Sequence, residues 1–150
     1  MKNLIILMGL LMGGLYSFAF IPKSIDEKLL QAFKTSFPNA RQIIWKEVPE
    51  RYIVNFVEDE IRSSIVYEKD GTLVSATRYY SEHNLPYYLW VTLKKQYPDK
   101  KIFGVIEVSR MEHIEYFIKL VDAKFWATIK MGSDGSLEVV EKFKKADQLN

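Results

Sequence analysis

Arg51-Tyr52-Ile53-Val54-Asn55-Phe56-Val57 and Glu115-Tyr116-Phe117-Ile118-Lys119-Leu120-Val121 decide the reading of the fold, because they are one pattern met twice. In both, side chains alternate with the two-residue period of a strand that has one buried face. The same spacing carries Ile65 onto Ile129, Asp70-Gly71 onto Asp134-Gly135 and Leu73 onto Leu137. Internal repetition is tested before any motif, because it fixes the architecture. Phe37-Pro38 matches Tyr97-Pro98 at a shorter spacing, so the second copy is longer between Tyr97 and Tyr116. A longer hairpin at 109–113 is the expected place for the extra residues, since loops tolerate insertion.

Outward from these stretches the elements follow in order. Ser24 and Glu27 read as a capping box. Ile25, Leu29, Leu30, Phe33 and Phe37 then share one helical face, and Pro38 ends the helix. Pro86 suits the first turn of a second helix through Leu89, Trp90 and Leu93, ended by Pro98. Four alternating segments follow each helix, at 41–48, 51–58, 61–68 and 73–80 and again at 101–109, 115–122, 124–131 and 137–143. Asp70-Gly71 and Asp134-Gly135 are hairpin signals. The expected fold is α+β: two tandem repeats of one helix plus a four-stranded antiparallel meander, at 20–84 and 85–150, forming a broad curved sheet with helices on one face.

The first 19 residues stand apart. Lys2 precedes an apolar run from Leu4 to Leu15, and Ser17 and Ala19 place small residues before Phe20. That is a signal-peptide layout, with cleavage expected after Ala19 and a periplasmic or secreted mature chain without a stable membrane anchor. The absence of cysteine removes disulfides and thiolate chemistry. A formal net charge of +2 is too small to gather nucleic acid by itself.

The helix ending in Phe37-Pro38-x-Ala40, then Trp45, Tyr52-x-Val54-x-Phe56 and Asp70-Gly71, followed by Leu85-Pro86 and Tyr97-Pro98, resembles the PepSY-like, β-lactamase-inhibitor-like secreted proteins of Bacteroidota. The resemblance spans nearly all of the mature chain, and its motifs are structural. It implies helix-plus-four-strand units, an uncovered sheet face that binds a protein, and restraint of a secreted or periplasmic enzyme as the outcome.

Pairing outward from two-residue turns at Pro49-Glu50 and Asp59-Glu60 separates the faces. Trp45, Tyr52, Val54, Phe56, Ile65, Tyr116, Ile118, Leu120, Ala127, Ile129 and Met131 fall on the core side. The other side carries Ile53, Asn55, Val57, Arg62 and Ser64, then Phe117, Lys119, Trp126, Thr128 and Lys130. A wet sheet face is mostly polar, so large aromatics among cations there point to a protein interface. The expected partner-binding residues are Phe117, Lys119, Trp126, Lys130, Ile53 and Arg62, with Met111 on the hairpin. Read blandly, the same aromatics pair with neighbouring strands.

Catalysis is not expected. His83 and His113 have no metal-site spacing, Glu58-Asp59-Glu60 lacks a calcium-loop series, and the glycines form no phosphate loop. No cofactor is expected. Tyr79, Tyr80, Tyr87, Tyr88 and Trp90 read as rings that fill a junction, and Lys142, Lys144 and Lys145 as the end of a strand in a solvated tail. The alternative to a protein-binding module is a small-ligand carrier with a pocket between helices and sheet. The partner's identity and the oligomeric state have no sequence signal.

Overall fold

The computed structural model describes residues 22–111 and 113–146. They form α1 (Glu27–Ser36), β1 (Arg41–Val48), β2 (Arg51–Glu58), β3 (Ile61–Glu68), β4 (Leu73–Tyr80), a 3-10 turn (Glu82–Asn84), α2 (Tyr87–Gln96), β5 (Lys101–Arg110), β6 (His113–Val121), β7 (Phe125–Gly132) and β8 (Leu137–Lys144). The expected cleavage after Ala19 lies outside the described residues.

All eight strands join one antiparallel sheet in the order β1 to β8. This corrects the expected α+β fold of two tandem helix-plus-meander repeats: the described residues form one eight-stranded sheet with two helices, 54% strand against 19% helix. The pairing of β4 with β5, from Ala76 opposite Ser109 to Tyr80 opposite Val105, carries the sheet without a break past the boundary placed at 84/85. Separate four-stranded sheets would each leave an inner edge of unpaired backbone groups. Joining them removes both edges. Alternation in the sequence specifies which face of a strand is buried, and it is silent on how many strands join.

Two clusters cover one face of this sheet. Leu29 and Phe33 of α1 pack on Trp45, Tyr52, Val54, Phe56 and Ile65. Phe33 meets Trp45 and Phe56 edge-on, with ring centroids 5.3 and 5.1 Å apart, the arrangement that the ring quadrupoles favour. Leu89 and Leu93 of α2 pack on Tyr80, Val105, Tyr116, Ile118, Leu120, Ile129 and Met131. Ala76 touches the first cluster and Tyr80 belongs to the second. Being an even number of residues apart on β4, they share a face, and so do the two helices.

Three local expectations are also corrected. Asp26, not Ser24, caps α1, its Oδ1 accepting from the Lys28 amide at 2.7 Å. The Ser24 hydroxyl instead donates to Glu47 Oε2 at 2.6 Å. Pro86 occupies the N-cap of α2 rather than its first turn. The extra residues near 109–113 lengthen strands rather than a turn, since Arg110 pairs with His113 at the ends of the 10-residue β5 and the 9-residue β6.

Candidate binding face

The face without helices is built row by row from the strand register. One row runs Val57, Arg62, Tyr79, Ile106, Phe117 and Lys130. The next runs Gly104, Lys119, Thr128 and Glu141, and a third Val121, Trp126 and Phe143. Directly opposed residues of an antiparallel pair share a face, so each row is a band of side chains across the sheet.

A groove of about 510 Å³ crosses this face, lined by Tyr79, Phe103, Ile106 and Phe117, with Gly104 between them and Arg62 and Lys119 at its sides. A second hollow of about 420 Å³ shares Arg62 and Tyr79 and extends to Ile44 and Asn55. Phe103 is 67% exposed and Phe143 51%. Beside the groove, Trp126 is half-buried: the Phe103 ring meets it edge-on at 5.0 Å, and the Lys119 and Lys145 ammonium groups lie 5.3 and 5.1 Å from its ring. Both cations are within the range at which a ring face attracts them.

Of the expected partner-binding residues, Arg62, Phe117 and Lys119 converge on the groove and Trp126 flanks it. Lys130 adjoins Phe117, but its ammonium pairs with Glu115 at 2.5 Å. That hydrogen bond holds the Glu115 carboxyl below its ordinary pKa and raises that of Lys130. Ile53 sits on the same face four strands from Phe117, about 19 Å at the usual spacing. Met111 is 98% exposed at the β5–β6 tip with φ 49°, roughly 20 Å along β5 from the groove. It does not join the other residues.

Tyr79, Phe103, Gly104 and Ile106 were missed. A register shift between Ile102 and Gly104 inserts an extra residue into β5, which breaks the two-residue period that reveals a face. Tyr79 was read as part of a junction filled by rings. Only Tyr80 of that group is buried; Tyr87 and Tyr88 are exposed, with Tyr87 stacked on Trp90 at 6.1 Å. The basic C-terminal stretch ends a strand, β8, with Lys142 and Lys144 exposed. The Lys145 amide donates to the Lys124 carbonyl at 2.8 Å, and the Lys142 ammonium lies 4.5 Å from the Phe125 ring.

His83 lies in the 3-10 turn and His113 at the start of β6. Among the described residues no group of three or more His, Asp or Glu could hold a metal. Glu107 lies on the helix-covered side, accepting from the Tyr80 hydroxyl at 2.6 Å and from Arg78 Nη1 at 3.2 Å. Burial, then the Glu107 bond, pushes the Tyr80 hydroxyl well above the usual phenol pKa. No described helix is long and apolar enough to cross a membrane.

No family profile and no curated protein matches the chain. Solved structures share its fold. A BLIP-like protein from Bacteroides fragilis superposes with a TM-score of 0.58 at 14% identity, covering 87% of this chain and 94% of the other. A candidate periplasmic protein from Bacteroides eggerthii gives 0.57 at 18% identity, covering 84% and 90%. A DUF2874 family protein from Bacteroides uniformis gives 0.56 at 13% identity, covering 83% and 90%. At these identities the likeness is one of fold.

Proposed function

We propose that this chain is an exported, non-catalytic module that holds a protein partner on the helix-free face of its sheet, and that the partner is a periplasmic or secreted enzyme which it inhibits. The observation that carries the reading is the composition of that face. Tyr79, Phe103 and Ile106 stand exposed among Arg62 and Lys119, and Phe143 stands exposed in the Trp126 row of the same sheet. Aromatic and basic side chains on a preorganised surface supply most of the energy in protein interfaces. Export rests on the signal peptide expected at 1–19, and the names of the Bacteroides fragilis and Bacteroides eggerthii structures accord with a periplasmic binding role.

In this reading Arg62, Phe117, Lys119 and Trp126 form the centre of the interface, Ile53 and Lys130 its margin, and Met111 is reached only by a partner that extends to the hairpin tip. A small-ligand pocket between α2 and the sheet is opposed by the packing there: Leu85, Leu89 and Leu93 are 5%, 0% and 0% exposed.

Capture from the periplasmic fraction of the source organism tests the reading. Trp126→Ala and Phe117→Ala are each expected to weaken a captured enzyme's binding by more than about 1 kcal/mol, with unchanged circular dichroism. The captured enzyme should slow as the wild-type protein is added. Equal retention by both variants would remove the face from the account, and full turnover at saturation would remove inhibition.

A further inference from the structure

Gly104 recesses the sheet surface where the groove lies. It sits opposite Lys119 and so shares the helix-free face, and a Cβ built on it meets no atom within 4 Å. The space that a side chain would take is left open between Tyr79, Phe103, Ile106 and Phe117. At about 510 Å³ the hollow is within the range of sites that enclose a bulky apolar group.

Charge is distributed unevenly around it. Arg62 and Lys119 stand on opposite sides, on strands β3 and β6, and neither makes an ion pair among the described residues. Lys101 and Lys145 line a separate hollow with Asp99 and Asp122, so they add no excess of charge to the groove. Lys130, further down the sheet, is neutralised by Glu115. The carboxylates near the groove are Glu60 at its first-half end and Glu141, which accepts from Thr128 Oγ1 at 3.3 Å. Of the charged residues that line the groove itself, Arg62 and Lys119 are cations and Glu60 alone is an acid, and the two cations border an apolar surface that lowers screening.

We propose that this groove docks an acidic segment of a protein partner, seating an aromatic side chain over Gly104 with one carboxylate at Arg62 and a second at Lys119. The inference rests on the proposed protein-binding role of this face and adds the chemistry of what it takes. Arg62 suits a carboxylate through two parallel N–H donors, and Lys119 acts as a point charge. Their strands are three spacings apart, about 14 Å, and Lys119 lies two residues beyond the Arg62 row, about 7 Å along the strand, so the two positions are about 16 Å apart, which an extended chain spans in about four to five residues. The partner's carboxylates thus lie about four to five positions apart, with the anchoring ring between them.

The probes are three peptides on one frame, Gly-Glu-Gly-Phe-Gly-Glu-Gly and its versions with both Glu replaced by Gln or by Lys, titrated into the full-length ¹⁵N-labelled protein. The Glu peptide is expected to shift the amides of Gly104, Ile106, Phe117 and Lys119 and to bind at least tenfold tighter than the Gln peptide. The Lys peptide should leave the spectrum unchanged. Gly104→Val adds bulk to the hollow at a position where a Cβ meets nothing within 4 Å, and is expected to lose at least tenfold in affinity with the sheet spectrum intact. Lys119→Glu should lose the Glu peptide and gain the Lys peptide, which covers the case of a valine variant that fails to fold. Equal binding of the Glu and Gln peptides, or shifts elsewhere on the sheet, would overturn the proposal. So would equal displacement by single-stranded DNA or phosphatidylglycerol vesicles, which would mark a general anion surface. If Phe117→Ala abolishes enzyme capture while Gly104→Val leaves it whole, the binding face stands and the groove falls.

Discussion

Asp122 closes the β6–β7 turn with one oxygen and binds Lys100, the residue before β5, with the other. Its Oδ1 accepts from the amides of Lys124 and Phe125, each at 2.7 Å, and its Oδ2 takes the Lys100 ammonium. The Lys100 bond first, and then the two amides, hold its carboxyl far below the usual carboxylate range. A folded-state pKa below the unfolded one stabilises the fold fully above the unfolded value, and that contribution is lost as pH falls below about 4. The urea midpoint of the wild type should therefore begin to drop at about pH 4 to 5 and keep falling as the pH is taken below about 3, and Asp122→Asn should drop less. A variant as acid-sensitive as the wild type would remove Asp122 from the account, leaving Glu47, Asp70, Glu115 and Asp134, which are lowered in the same direction. None of this was legible in the sequence, where Asp122 looked like the last residue of a strand. The same limit explains the cap of α1. Both Ser24 and Asp26 suit a helix start, and the choice is made by Glu47, a β1 residue 23 positions from Ser24 that claims its hydroxyl. Local patterns cannot see a partner so distant in the chain.

Hairpin turns show where elements were readable. Gly71 and Gly135 have φ values of 90° and 85°, and the aspartate before each accepts from the amide two residues on, Thr72 or Ser136, at 2.9 Å. A Cβ in the left-handed region costs about 1–2 kcal/mol. Gly135→Ala should lower stability by that amount in urea titrations, whereas Gly104→Ala, with no positive φ and open space at its Cβ, should change it little. Equal losses at the two sites would show that the turn conformation is not the cause. The strands themselves were legible from alternation, and Trp45, Val54, Ile118 and Ile129 are buried as the two-residue period required. Register shifts were not. They fall between Arg41 and Ile44 in β1, between Val66 and Tyr67 where β3 meets β4, between Ile102 and Gly104 in β5, and between Thr128 and Ile129 where β7 meets β8. Each inverts the alternation on its far side, so the groove-forming Phe103 and Gly104 could not be placed by counting. Arg62, Phe117 and Lys119 were found because their strands run to them without interruption.

At the scale of the whole molecule, the seam between β4 and β5 decides whether the chain behaves as one body. Glu107 of β5 binds both Tyr80 and Arg78 of β4, and the α2 cluster takes in Tyr80 and leans on Ile61 of β3. The second half therefore cannot lose its core without exposing residues of the first, so one cooperative transition is expected. Tryptophans report on it from both sides, Trp45 within the α1 cluster and Trp126 on β7. Variants that retain only one of them, with the others replaced by Phe, should unfold at the same urea concentration. Glu107→Ala leaves the Tyr80 hydroxyl and the Arg78 guanidinium without their acceptor, a loss of about 1–3 kcal/mol for a buried group. It should lower both midpoints together, because the seam belongs to neither half alone. Midpoints that separate in the wild type would mean that β4 and β5 part before either cluster melts. Midpoints that separate only in the variant would identify Glu107 as the group that holds the sheet together as one unit.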